Sequence, residues 1–296
     1  MTTVSHTSAE IATQPALWAR AAALAGQCAG LPKSGERVAV VGCGTSWFIA
    51  QAYAVLRERA GQGVTDAFAA SEFPGVRDYD RVVALSRSGT TTEVLRLLAE
   101  VRGKVATTAI TGPPGTPITT AADEIVMLDF ADERSVVQTR FATTALALFR
   151  AHLGEDLAAA VRDAETAVAW EPDAAFVAAE QFTFLGSSWS AGLAAEAALK
   201  MREAAGAWTE SYPVMEYRHG PISIAAPNRV TWVFGPVPEG LAEQVAVTGG
   251  TFVAGSLDPM AELIRVQKLA VAIAESRGLN PDEPRHLTRS VVLGAS

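Results

Sequence analysis

Cysteine is nearly missing from this 296-residue sequence: Cys28 and Cys43 are the only two. That is too few for a disulfide scaffold or a cysteine-rich zinc site, and it fits a reduced, cytoplasmic protein. No run of about 18 apolar residues occurs, so no membrane-spanning helix is expected. The first fifteen residues, MTTVSHTSAEIATQP, lack a basic region followed by an apolar run, so no signal peptide is read. Basic excess is lacking as well. Lys and Arg number 24 against 32 Asp and Glu, a net charge of −8, which leaves no cationic surplus to displace counterions from phosphates. Nucleic acid and membrane are therefore not expected partners. Histidine is confined to His6, His152, His219 and His286. No His, Cys and carboxylate cluster has metal-ligand spacing, so neither metal nor cofactor is expected. Also missing are Gly-x-x-x-x-Gly-Lys-Ser/Thr, the third glycine of a dinucleotide fingerprint after Gly42-Cys-Gly-Thr-Ser-Trp47, and a Gly-x-Ser-x-Gly elbow. ATP, NAD and serine-hydrolase chemistry are disfavoured accordingly.

Apolar material is plentiful. The hydrophobic fraction is 49% and the charged fraction 19%, which excludes disorder for most of the chain. The length suggests about two domains or one large one. Apolar runs ending in Gly or Ser/Thr turns alternate with helical patterns. Arg37-Val-Ala-Val-Val-Gly42 feeds Trp47–Ala60, and Arg81-Val-Val-Ala-Leu-Ser86 feeds Glu93–Val101. Two more runs follow, Lys104–Thr111 and Glu124–Leu128. This alternation predicts an α/β protein with a parallel sheet covered on both faces. The order then repeats. Gln181-Phe-Thr-Phe-Leu-Gly186 echoes the first strand, each glycine being followed by a Ser/Thr turn, a Trp and an Ala-rich helix. Those helices carry Arg57-Glu58 and Arg202-Glu203, and Glu216-Tyr217 before Arg229 echoes Glu72-Phe73 before Arg81. Three echoes in one order predict an internal duplication. The Ala-rich stretch Phe141–Val168 is expected to join the halves as helix, and Met260–Arg277 to form a C-terminal helix ahead of a polar tail.

Ser86-Arg-Ser-Gly-Thr-Thr91 packs four hydroxyls and an arginine into the junction between a strand and a helix. Helix N-termini offer unpaired N–H groups, and hydroxyls add donors, so this turn is a candidate phosphate cradle rather than a simple helix cap. Gly42-Cys-Gly-Thr-Ser46 is a second turn of the kind, and in an open parallel sheet both lie at the carboxyl edge, where ligands bind. A small phosphorylated metabolite is the expected ligand. In Ala191–Ala205, Glu196, Lys200 and Glu203 share one helical face. A solvated ladder would be the plain reading, but the surrounding Ala, Leu and Met predict burial, and buried charges need partners or a role. A carboxylate there is a candidate base. His219 follows in a loop, Tyr212-Pro-Val-Met-Glu-Tyr-Arg-His-Gly-Pro221, where functional residues concentrate.

Taken in order, several segments resemble the sugar isomerase (SIS) family, particularly the isomerase half of glucosamine-6-phosphate synthase and the amino-sugar isomerase/deaminase proteins. They are Glu10-Ile-Ala-Thr-Gln-Pro15, Gly42–Ser46, Ser86–Thr91, Glu133-Arg-Ser-Val-Val-Gln-Thr139, Glu196–Glu203, Glu216–Pro221 and Pro284-Arg-His-Leu-Thr-Arg-Ser290. The resemblance implies two flavodoxin-like SIS subdomains, over 33–168 and 169–257, with an N-terminal helical segment over 1–32 and a C-terminal helix and active-site tail over 258–296. It implies sugar-phosphate binding by Ser46, Ser86, Arg87, Ser88 and Thr91, with Thr45, Val136, Gln138 and Glu196 beside the substrate. Glu203 matches the base that moves a proton between C1 and C2, with Lys200 next to it. His219 matches the residue associated with ring opening, supplied by the neighbouring subunit of a homodimer with shared active sites. Arg289 stands where the synthase pattern has a lysine, and can hold an anion or enolate but not form an imine. Arg87 replaces a neutral glutamine and is expected to strengthen anion binding.

The sequence carries no N-terminal cysteine nucleophile of an amidotransferase, so release of ammonia from glutamine is not expected. The reading is an amino-sugar 6-phosphate isomerase/deaminase of the glucosamine 6-phosphate type. Two alternatives stand beside it. A dehydratase would use the same C2 proton loss to eliminate water from N-acetylglucosamine 6-phosphate. A non-catalytic phosphosugar sensor would resemble SIS-containing regulators, but the residues before Arg37 hold no helix-turn-helix pattern.

Overall fold

The computed structural model describes residues 4–294. Helices α1 (His6–Ala12) and α2 (Gln14–Leu24) lead into β1 (Val38–Gly42), α3 (Thr45–Arg59), β2 (Thr65–Ala69), β3 (Arg81–Ser86), α4 (Thr92–Val101), β4 (Ala106–Thr111) and β5 (Glu124–Met127). Then come α5 (Arg140–His152), α6 (Ala158–Ala169), α7 (Ala174–Val177), β6 (Gln181–Gly186), α8 (Ser190–Ala205), β7 (Trp208–Pro213), β8 (Arg229–Phe234), α9 (Leu241–Val247), β9 (Thr251–Ala254) and α10 (Pro259–Ser276). The strands form two separate sheets, ordered β2-β1-β3-β4-β5 and β7-β6-β8-β9. Every pairing is parallel. The order 2-1-3-4-5 is the flavodoxin-like winding, and the second sheet repeats its first four places.

Packing divides the chain into two units. Among the described residues the first comprises Ala16–Glu133, Arg140–Leu157 and 287–294; the second comprises 4–15, Arg134–Thr139 and Ala158–His286. In the first unit Val38, Val40 and Val83 are as fully buried as Ala39, Val41 and Val82, because helices cover both faces of the sheet. That is why these strands read as unbroken apolar runs rather than alternating ones. One face packs on Val94, Leu97, Leu98 and Val101 of α4. Elsewhere in this unit α3 packs on α5, with the rings of Tyr53 and Phe149 stacked 3.8 Å apart. In the second unit α10 packs against α8, α6 and α1, and Leu185, Val233, Tyr217, Leu241 and Val245 form a core under α9.

The duplication read from the sequence is physical. A Cβ on Gly42 would come within 2.7 Å of Ser46, and one on Gly186 within 2.3 Å of Ser190, so each strand can turn into its helix only through glycine. Arg57 donates to Thr65 Oγ1 (2.8 Å) and Arg202 to Thr209 Oγ1 (2.9 Å), so each unit ties the end of its first helix to the start of the next strand. Two features differ from the sequence reading. The stretch over 141–168 is two helices, broken after His152, where Gly154 takes φ +89° and Arg150 bonds Glu155 at 2.9 Å. The units are also discontinuous, unlike the contiguous spans read along the chain: α6 packs with α10 in the second unit, and Ser290 and Leu293 hydrogen-bond within the first. Among the described residues no helix is long and apolar enough to cross a membrane, and no group of three or more His, Cys, Asp or Glu is placed to hold a metal ion.

Candidate functional site

In the first unit the Ser86–Thr91 loop leaves the carboxyl end of β3 and enters α4. Gly89 turns it at φ +65°, and a Cβ there would sit 2.2 Å from Thr116 Oγ1 and 2.8 Å from Ile118 Cγ2. The Gly89 carbonyl accepts the Ile118 N–H at 3.1 Å, which anchors the turn to its neighbour. Inside the loop the hydroxyls act as acceptors. Ser86 Oγ accepts the Gly89 N–H (3.2 Å) and lies 3.3 Å from Thr91 Oγ1; Ser88 Oγ accepts the Thr90 N–H (3.2 Å) and the Thr90 hydroxyl (3.1 Å). A serine oxygen that accepts from the backbone keeps its own O–H to donate. The loop therefore holds hydroxyl donors in place on a fixed backbone, as an anion site requires. Thr45 and Ser46, both buried, open α3 at the neighbouring strand end.

Arg87 behaves differently from the hydroxyls. Its side chain is only 4% exposed and forms an ion pair with Glu133 (3.6 Å), and its Nη2 donates to the Arg289 carbonyl at 2.8 Å. The Arg289 side chain in turn pairs with Asp132. The tail continues along the loop: Ser290 Oγ lies 2.8 Å from Thr90 Oγ1, the Val291 carbonyl accepts the Thr92 N–H at 3.1 Å, and Leu293 N–H donates to Thr92 Oγ1 at 2.9 Å. Arg289 thus lies beside the hydroxyl loop through its carbonyl, which meets Arg87, while its side chain is held by Asp132.

In the second unit Glu196, Lys200 and Glu203 do share one face of α8. Their side chains are 0%, 1% and 19% exposed, so they form no solvated ladder. Lys200 Nζ lies 3.5 Å from Glu196 Oε1 and bonds Glu203 directly. The ammonium thereby bridges two carboxylates, one buried and one reaching the surface, which holds the Glu203 carboxylate in a fixed place. Glu203 opens onto a cleft of about 830 Å³ that it lines with Arg202, Arg277, Asn280, Arg285 and His286. His219 is exposed on the short turn Glu216–His219 and is not among the residues lining that cleft. Val136 N–H donates to the Asp282 carbonyl at 3.1 Å. Gln138 Oε1 is buried and finds no hydrogen-bond partner among the described residues.

The fold also explains why motifs far apart in sequence belong together. Glu10 accepts from the Arg134 N–H (2.6 Å) and from the Ser135 hydroxyl, and Asp282 accepts from Thr7 Oγ1 and the Thr7 N–H, both at 2.7 Å. The chain start, the segment 134–139 and the tail are clasped by these bonds. Asp132, Asp282 and Thr7 were not among the residues singled out from the sequence. Their roles rest on partners more than a hundred positions away, which no local pattern signals.

Residues 31–153 match the family model described as SIS domain. Over 88% of its length the chain is 27% identical to glutamine–fructose-6-phosphate aminotransferase [isomerizing] from Thermus thermophilus, covering 53% of that protein. The chain spans about half the length of the curated relatives it matches. Among solved structures it superposes on glucosamine-6-phosphate deaminase from Thermotoga maritima with a TM-score of 0.82 and 25% identity, covering 98% of this chain and 100% of the other. The C-terminal domain of glucosamine-fructose-6-phosphate aminotransferase from Francisella tularensis shares the fold, with a TM-score of 0.78 at 21% identity over 96% and 99% of the two chains. The likeness to these structures is one of fold over nearly the whole chain.

Proposed function

We propose that this chain, whose residues 31–153 match the SIS domain model, is an enzyme that acts on an amino-sugar 6-phosphate of the glucosamine 6-phosphate type as an isomerase/deaminase. The observation that carries this reading is the pair of preorganised groups: a loop of hydroxyls held ready to donate, and a carboxylate, Glu203, fixed by Lys200 at the edge of a cleft. In the proposal Ser46, Ser86, Ser88 and Thr91 take the phosphate, with Thr45 beside them. Glu203 takes the proton from C2 of the opened sugar and returns it to C1. The resulting imine at C2 is then hydrolysed by water to a ketose 6-phosphate and ammonia. Lys200 and Glu196 hold that carboxylate, while Val136 and Gln138 face the sugar; the unpaired oxygen of Gln138 would accept from a sugar hydroxyl. His219 assists ring opening from the neighbouring subunit of a homodimer, a role its exposure permits. The enzyme would work in the cytoplasm, where phosphorylated sugars are held.

The test incubates the protein with glucosamine 6-phosphate and with N-acetylglucosamine 6-phosphate and weighs the products. Release of ammonia from the first supports the reading. Loss of one water from the second, with no change in the first, replaces it by the dehydratase; binding without any product replaces it by a sensor. Glu203→Gln should retain binding and lose turnover by about 10³-fold or more, the scale on which removal of a central catalytic group acts. Full activity in that variant rules out the proposed base. Mixing Glu203→Gln with His219→Ala subunits should restore part of the activity if active sites are shared.

A further inference from the structure

We propose that Arg87 is a positioning residue: its guanidinium fixes the backbone of Arg289, and so lays the tail along the hydroxyl loop, instead of binding phosphate itself. The inference rests on the reading above for that loop. Three observations carry it. First, the guanidinium is almost fully buried and is spread between Glu133 on one nitrogen and the Arg289 carbonyl on another. Second, Glu133 is itself 1% exposed and accepts the Arg140 N–H at 2.8 Å, so turning Arg87 toward a phosphate would give up its ion pair with a carboxylate that has little access to water, a costly exchange. Third, Arg87, Glu133, Asp132 and Arg289 form an alternating set of charges. Within it, residue 289 is held at both ends, its carbonyl by Arg87 and its side chain by Asp132. The bonds from Thr90 to Ser290 and between Thr92 and Val291 and Leu293 then continue the same seam. A neutral glutamine at position 87 would have no charge to pair with Glu133, so the arginine couples tail placement to the buried acid.

The experiment compares the full-length protein with Arg87→Ala, Arg87→Lys and the double variant Arg87→Met with Glu133→Gln, which removes both members of the pair and guards against misfolding of the single variants. Hydrogen exchange of the segment 287–293 is measured without ligand, the Kd for inorganic phosphate by calorimetry, and kcat and KM on glucosamine 6-phosphate. A positioning role predicts at least tenfold faster exchange of the tail in all three variants and a phosphate Kd within about twofold of wild type. It also predicts a fall in kcat with little change in KM. Arg87→Lys should behave like Arg87→Ala, because one ammonium cannot span the two partners. Unchanged tail exchange overturns the proposal. So does a phosphate Kd weakened tenfold by Arg87→Ala and restored by Arg87→Lys. The exchange and phosphate measurements need no turnover, so an inactive wild type would count against the proposed reaction and leave this inference to be decided by them.

Discussion

Replacing Gly89 by alanine should damage the hydroxyl loop in two separable ways. The left-handed backbone, φ +65°, costs an L-residue about 1–2 kcal/mol. The added Cβ would also meet Thr116 Oγ1 at 2.2 Å and Ile118 Cγ2 at 2.8 Å. Ile118 is fully buried and cannot swing away, so relief must come from the backbone, at the cost of about 1–3 kcal/mol usual for an overpacked site. Together the loss of stability is about 2–5 kcal/mol. Gly115 provides the control. It lies in the same unit with φ +72°, and a Cβ there meets nothing within 4 Å, so Gly115→Ala should cost only the backbone share, about 1–2 kcal/mol. Urea unfolding of both variants, followed by tryptophan fluorescence and compared at constant m-value, reads the difference. Gly89→Ala should also weaken phosphate binding, while Gly115→Ala should not. If the two substitutions prove equally mild, the close approach of the loop to Thr116 and Ile118 does not constrain it, and the argument for a fixed donor array fails.

Three further outcomes follow from the same geometry. Ser86→Ala leaves the Gly89 N–H without its acceptor, a penalty of about 1–3 kcal/mol for an unpaired buried donor, and should weaken glucosamine 6-phosphate binding about tenfold or more by calorimetry; an unchanged Kd would remove Ser86 from the site. All four tyrosines are raised above the ordinary phenol value, first by burial; Tyr79 and Tyr212 reach about 12, helped by hydrogen bonds to Asp66 and Glu210. Their neutral form is favoured in the fold, so this contribution to stability is complete below pH about 10 and declines as pH climbs toward 12. Absorbance titration at 295 nm should show almost no tyrosinate at pH 10 in the folded protein, and half-ionised tyrosine there would refute it. Asp282 is pushed up by burial, but its bonds from Thr7 and the His6 N–H outweigh that and hold it below the usual aspartate value. Its contribution is therefore present above pH about 4 and lost as pH falls through the lower folded value. Amide protection at residues 6 and 7 should drop in that acid range, and at neutral pH in Asp282→Asn; protection that persists in both would deny the clasp.

The order of elements was written in the sequence, because a strand buried on both faces must be continuously apolar and a helix that follows at once must begin at glycine and hydroxyl residues. β1, β3, α4 and α10 begin or end within two residues of where periodicity placed them. The duplication was legible for the same reason: Gly42 and Gly186 each occupy a spot where any side chain would strike the next helix. The hydroxyl loop and the row Glu196, Lys200 and Glu203 could be named because both are local, one a turn and one a helical face. What only tertiary structure decided was which charges meet. Helical spacing puts three charged groups on one face, and the surrounding Ala, Leu and Met point to burial, but neither says that Lys200 bridges both carboxylates while Glu203 alone reaches the surface. Likewise Arg87 read as an anion hook beside its serines, yet its partners, Glu133 and the carbonyl of residue 289, lie far along the chain. Backbone hydrogen bonds within elements are fixed by neighbours a few residues away; the partner of a buried charge is fixed by whatever the fold brings beside it.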